Sequence, residues 1–262
     1  MRVRAATAVA IVTLLAIAAC VIAPGLIATQ APDAIDPTHL LLPPGGTHLF
    51  GTDQLGRDLF SRMVYSARSS VLVAVGATVS SSIVGGAIGL LSGFAGGWID
   101  VVLMRAVDVM LAFPSLLLAL AVVGILGSSP VNVTVAVAIA IVAPFCRVTR
   151  AQVLHVRAQP YIDAAAIGGV SPVRILFRHV IPNASGPVLL VGLMGTGVAM
   201  LASSSLSFLG LGPTPPATDW GALAASGRDY LGTAWWLTTF PGAAVVVTVL
   251  AVMTLHRAWT RS

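Results

Sequence analysis

The sequence predicts an all-α polytopic membrane protein with about six transmembrane helices. Hydrophobic residues make up 57% of the 262 and charged residues only 9%, whereas a soluble domain carries about 25% charged residues. Six separate stretches are apolar over the ~20 residues that cross a ~30 Å hydrocarbon core. The arginines gather in the segments that fall on one side of those stretches.

The first span is placed near 5–28. Ile17-Ala18-Ala19-Cys20 resembles a lipoprotein cleavage box, but the apolar run continues past it to Ala28. An uncleaved helix long enough to cross is the simpler reading. The second span, 69–94, leads into a glycine series at Gly85, Gly89, Gly93 and Gly97. A ridge of such small residues lets another helix approach closely, from the same chain or from another subunit. The third span, 102–126, holds Arg105 and Asp108 near its inner end, read as an interfacial ion pair rather than a proton relay.

The fourth span, 131–147, is closed early by Pro144 and Arg147. The fifth, 187–210, contains Ser203, Ser204, Ser205 and Ser207. Serine hydroxyls in a helix usually bond back to their own backbone; the alternative is a polar route for a solute. The sixth span is 235–256. Cys20 and Cys146 sit in apolar runs as small hydrophobes.

Arg2 and Arg4 put the N-terminus in the cytoplasm, and six crossings return the C-terminus there with Arg257 and Arg261. The segment between spans four and five then also lies inside, with Arg147, Arg150, Arg157, Arg174 and Arg178 against Asp163 alone. All 14 basic residues are arginine and all 9 acidic residues aspartate. Without lysine the chain has no Walker A phosphate loop and no Schiff-base chemistry. No nucleophile–base–acid pattern points to an enzyme, no catalytic residue is assigned, and scattered arginines do not make a nucleic-acid surface. His39 and His48 on the outer loop are too sparse for a metal site, and none is assigned.

The segment 148–186 is too polar to span. Tyr161 to Ile167 favours a helix, which Gly168-Gly169 breaks. Ser171-Pro172 starts another, and Pro182 stops it. Val173, Leu176 and Phe177 share one face of this second helix, with Arg174 and Arg178 on another. An exposed apolar face of this kind marks a partner site, or else an amphipathic helix lying on anionic lipid. A chain with no energy source of its own needs such a surface. A self-contained secondary transporter or channel is the alternative, although no internal repeat supports it.

Asp163-Ala164-Ala165, Gly169 and Pro182 resemble the EAA loop of ABC importer permeases, with aspartate in place of the usual glutamate. Phe177-Arg178-His179-Val180-Ile181-Pro182-Asn183 resembles the dipeptide/oligopeptide/nickel branch in particular. Gly51-Thr52-Asp53-Gln54-Leu55-Gly56-Arg57-Asp58, Gly96-Gly97-Trp98-Ile99-Asp100, Ala112-Phe113-Pro114, Leu206 to Gly212 and Trp235-Trp236 are similar to its C-type subunits, of the DppC/OppC kind.

The resemblance implies the type I importer permease fold and a multi-pass inner-membrane location. It implies a homologous permease as heterodimer partner, two ATP-binding subunits and an extracytoplasmic substrate-binding protein. No cofactor belongs to this chain; ATP and Mg are bound by the partner ATPase. The coupling residues implied are Asp163, Ala164, Ala165, Gly169, Val173, Leu176, Phe177, Arg178, His179 and Pro182. Ser203, Ser204, Ser205, Asp219 and Trp220 are candidates for the pathway or outer mouth, in a stiff proline-rich outer stretch. The domains expected are an N-terminal helix with its outer segment (1–67), a permease domain (68–256) containing the coupling loop 148–186, and a short tail (257–262).

Overall fold

The computed structural model describes residues 2–213 and 217–260, with side chains from residue 5 onward. The side chains of Arg2 and Arg4, all of Arg261, and Thr214-Pro215-Pro216 of the outer stretch lie outside the described residues.

Helix α1 (Arg2–Ile22) is followed by a break at Ala23 and the single turn α2 (Pro24–Ile27). Proline restricts the residue before it to extended conformations, so the first span ends there rather than at Ala28. Residues 29–58 then fold as a loop cap. Asp58 ends the cap and begins α3 (Leu59–Ala95), its carboxylate accepting from the backbone N–H of Ser61 at 2.8 Å. Thus α3 starts ten residues before the expected second span and runs through the expected boundary at 67/68. At 37 residues it is about 55 Å long.

Helices α4 (Gly97–Ala112) and α5 (Ser115–Leu126) stand where one straight third span was expected. They meet at Phe113-Pro114 with a bend of 93°. Five helices are long and apolar enough to cross a membrane, and six spans result if the bent pair is one. Helix α6 (Pro130–Arg157) begins with Ser129 as N-cap and Pro130 in its first turn. It does not close at Pro144 but continues three turns further. Membrane helices tolerate an internal proline because neighbours and local adjustments satisfy the freed carbonyl.

Next come α7 (Pro160–Ile167), α8 (Pro172–Ile175), a π turn (Leu176–Val180) and α9 (Ile181–Leu206). Pro182 therefore opens α9 instead of stopping the preceding helix, since proline lacks only an N–H that a first turn leaves unused. A second π turn (Ser207–Leu211) ends at a kink where Gly210 has φ +86°. Helix α10 (Trp220–Ser226) and α11 (Trp236–Trp259) complete the chain.

The core forms where α3 lies against α6, with α9 and α11 around them. Gly85 and Gly93 make that approach possible: a Cβ on Gly85 would meet the Phe145 Cβ at 2.7 Å, and one on Gly93 the Val153 Cβ at 2.9 Å. The glycine ridge is thus filled from within the chain. Gly97 does not belong to it, because the helix ends at Ala95 and Gly97 opens α4 at φ +55°.

Candidate functional site

The two polar ends of the molecule are separated by the length of α3. Near its start, Ser66 Oγ and Thr218 Oγ1 are 2.6 Å apart. Near its end, Arg157 donates to the carbonyls of Gly93 and Phe94, at 2.8 Å each, and lies over the Phe94 ring. The outer stretch and the candidate coupling segment therefore occupy opposite ends.

At the coupling end, α7 is terminated by backbone geometry. Gly169 adopts φ +80°, which glycine enters without steric cost. Its N–H bonds to the Ala166 carbonyl at 3.1 Å, and the Val170 N–H reaches back to the Ala165 carbonyl at 3.0 Å. This pair of reversed bonds is a Schellman motif, which satisfies carbonyls that the helix end leaves open. Val170 and Ala165 pack together on a small separate core. That core joins Ile162 of α7, Ile175 of α8, Val180 of the π turn and Ala184 of α9 to Val153 and Val156 of α6. The element is thereby fastened to three long helices.

Its outer face is apolar. Ile167 is 88% exposed, and Val173 and Phe177 are each 65% exposed. Leu176 does not join them; it is half-buried and packs onto the small core. The face read from sequence as Val173, Leu176 and Phe177 is therefore Ile167, Val173 and Phe177. Asp163, Ala164, Arg174, Arg178 and Pro182 are exposed around it, and Ala165 is half-buried. His179 is half-buried with its ring 6.2 Å from Tyr161, and its carbonyl accepts from Asn183 at 2.6 Å.

The outer candidates divide. Ser203 bonds back to the Met200 carbonyl at 3.1 Å and Ser205 to the Leu201 carbonyl at 2.8 Å, the bland behaviour of a helical serine. Ser207 instead donates to Asp219 Oδ2 at 2.6 Å. Asp219 is N-cap of α10, accepting from the Ala222 N–H at 2.7 Å, and burial pushes its carboxyl up from the usual carboxylate range. Trp220 donates its indole N–H to the Met63 carbonyl and its backbone N–H to Ser70 Oγ, both at 2.9 Å. Asp219 and Trp220 are each 4% exposed, so here they knit α10 to α3 and the second π turn. Ser204, Ser205 and Trp220 also line one cleft of about 390 Å³ between α9, α10 and α11.

Sequence reading missed two arrangements. Asp108 pairs with Arg147 of α6 at 2.7 Å, not with Arg105. In the outer cap, the fully buried Asp53 accepts from Arg57 Nε at 2.7 Å and Arg62 Nη1 at 2.5 Å. The four-residue spacing of Asp53 and Arg57 was the only local signal for the second.

Residues 85–262 match the family described as binding-protein-dependent transport system inner membrane component. The dipeptide transport system permease protein DppC of Alkalihalophilus pseudofirmus is 41% identical over 215 residues, covering 82% of this chain and 71% of that protein. The probable D,D-dipeptide transport system permease protein DdpC of Escherichia coli is 39% identical, covering 86% and 75%. The glutathione transport system permease protein GsiD of Pectobacterium atrosepticum is 38% identical, covering 96% and 83%. A helical bundle with a fastened apolar element at one end and these similarities lead to one assignment: the chain belongs to the inner-membrane permease components of binding-protein-dependent ABC transport systems.

Proposed function

We propose that this chain forms half of an ATP-driven import pathway for a peptide-class solute. It pairs with one homologous permease, rests on two ATP-binding subunits and receives its solute from an extracytoplasmic binding protein. The exposed trio Ile167, Val173 and Phe177 carries this reading. Three large apolar side chains beyond the membrane end of the bundle cost free energy in water, and seating them in a partner groove recovers it. Asp163, Arg174, Arg178 and His179 supply the polar rim.

The fastening explains how a push is transmitted. Force on α7 and α8 passes through Ile162, Ile175 and Val180 to α6 and α9 rather than bending a loose loop. ATP-driven closure of the partner moves the spans only if the closed partner prefers one permease state energetically. The arginine asymmetry supports cytoplasmic N- and C-termini. The cleft beside Ser204, Ser205 and Trp220 serves the outer mouth. The relatives named above carry dipeptide, D,D-dipeptide or glutathione in their names, which supports a short peptide as the solute.

The test is reconstitution of this chain with its neighbouring permease, ATPases and binding protein in liposomes. ATP-dependent uptake of di- or tripeptide that needs every component is the expected result. Solute flux through the chain alone would overturn it.

A further inference from the structure

The ion pair between Asp108 and Arg147 lies where lipid cannot be its neighbour. Arg147 sits ten residues before the end of α6, about 15 Å inward from that end at 1.5 Å per residue. Asp108 lies eleven residues into α4, a similar depth. Yet the side chains are 55% and 45% exposed. Ionised groups at this depth face a bundle interior or a water-filled cavity, because hydrocarbon offers them no solvation. The α4–α6 seam is therefore a covered or wetted face.

A cavity of about 440 Å³ opens just beyond the pair, toward the membrane centre. The α4–α5 bend at Phe113-Pro114 bounds it on one side, α6 at Pro144 on another, and α9 at Met194 and Val198 on the third. Pro144 is three residues from Arg147, and Met110 two from Asp108, so the ion pair stands at the rim. The lining is apolar and adaptable, with methionines from two helices. Thioether side chains re-pack around varied shapes, as a route for variable peptide side chains requires. At the rim, the paired charges offer hydrogen-bonding groups without net charge, so a zwitterion meets no repulsive barrier.

We infer that this cavity, with the Asp108–Arg147 pair at its inner rim, is this subunit's wall of the solute pathway and takes short peptides bearing both termini. The inference rests on the transport reading above. Its test uses the assembled transporter in liposomes, with Cys20→Ala and Cys146→Ala removing the native thiols. Met194→Cys probes the cavity, and Val9→Cys on the outside of α1, 66% exposed, probes the lipid face. A charged methanethiosulfonate should modify position 194 at least ten times faster than position 9. Binding protein loaded with dipeptide, plus ATP, should slow the modification at 194 several-fold. Arg147→Gln should lower dipeptide uptake more than it lowers stimulated ATP hydrolysis. Equal, slow modification at both positions places the cavity against lipid. Protection at 194 without solute, with cross-linking to the second permease, makes it a subunit joint. Either outcome overturns the inference, while binding-protein-stimulated ATP hydrolysis in the same liposomes reports independently on the transport reading.

Discussion

Arg150 and Asp100 form a two-pronged ion pair, with Nε to Oδ1 and Nη2 to Oδ2 both at 2.6 Å. It joins α6 to the first turn of α4, and Ser92 of α3 donates to the same carboxylate. Three helices therefore meet at one aspartate, next to the coupling end.

Arg150→Ala should lower the thermal stability of the purified subunit by about 1–2 kcal/mol, the range for losing a charge-assisted fork that is partly screened. Arg150→Lys should recover only part, because an ammonium cannot reproduce the planar two-bond geometry. The measurement is thermal unfolding in detergent. An unchanged midpoint for the alanine variant would mean that the fork contributes nothing to holding α4.

Gly169→Val should reduce solute-stimulated ATP hydrolysis while leaving the protein in the membrane. No atom lies within 4 Å of where a Cβ would sit, so the penalty is backbone strain alone, about 1–2 kcal/mol at positive φ. Gly169→Asn, which tolerates that conformation better, should couple more nearly like the parent. Normal coupling by the valine variant would show that the turn has no mechanical part.

Asp219→Asn should be nearly neutral for stability, within about 1 kcal/mol. The amide keeps the N-cap acceptor for Ala222 and, by reversing roles, a donor toward Ser207. Burial raises the folded pKa of Asp219 above its unfolded value, so the folded state binds the proton more tightly. This group's contribution therefore improves as pH falls through the folded pKa and weakens above it. Denaturation of the parent between pH 4 and 8 should carry this dependence and the asparagine variant should lose it. Identical pH profiles would contradict the assignment.

Orientation is tested by single cysteines in the thiol-free background. Ala217→Cys should react with an impermeant maleimide from outside intact cells, and Ser171→Cys should react only after permeabilisation. Ala217 is preferred to Thr218, whose hydroxyl is engaged with Ser66. The reversed pattern would invert the topology and remove the coupling role from the 160–180 element.

Spans were legible in the sequence because apolar length is all that a bilayer demands. Their directions were not. Hydropathy does not register the turn at Phe113-Pro114, and it misread Pro144 and Pro182 as stops, although neighbouring helices tolerate the first and a helix start welcomes the second. Gly169 was legible because a positive φ selects its residue type. Leu176 was not, because the π turn that begins there changes the phase of the face. The partner of Asp108 was hidden for a simpler reason: it lies 39 residues away, whereas Arg105 stood within one turn.

The central claim is that the exposed trio seats the ATPase, and recovery of that ATPase with the permease measures it most directly. Phe177→Asp would force a charge into an apolar groove, at a cost of several kcal/mol unless the charge is paired. At matched permease levels, a pull-down from solubilised membranes should then recover several-fold less ATPase, and Val173→Asp should act in the same direction. Arg150→Ala, whose partners lie within the chain, should recover far more. Undiminished recovery with Phe177→Asp would contradict the account and assign the element to the lipid surface.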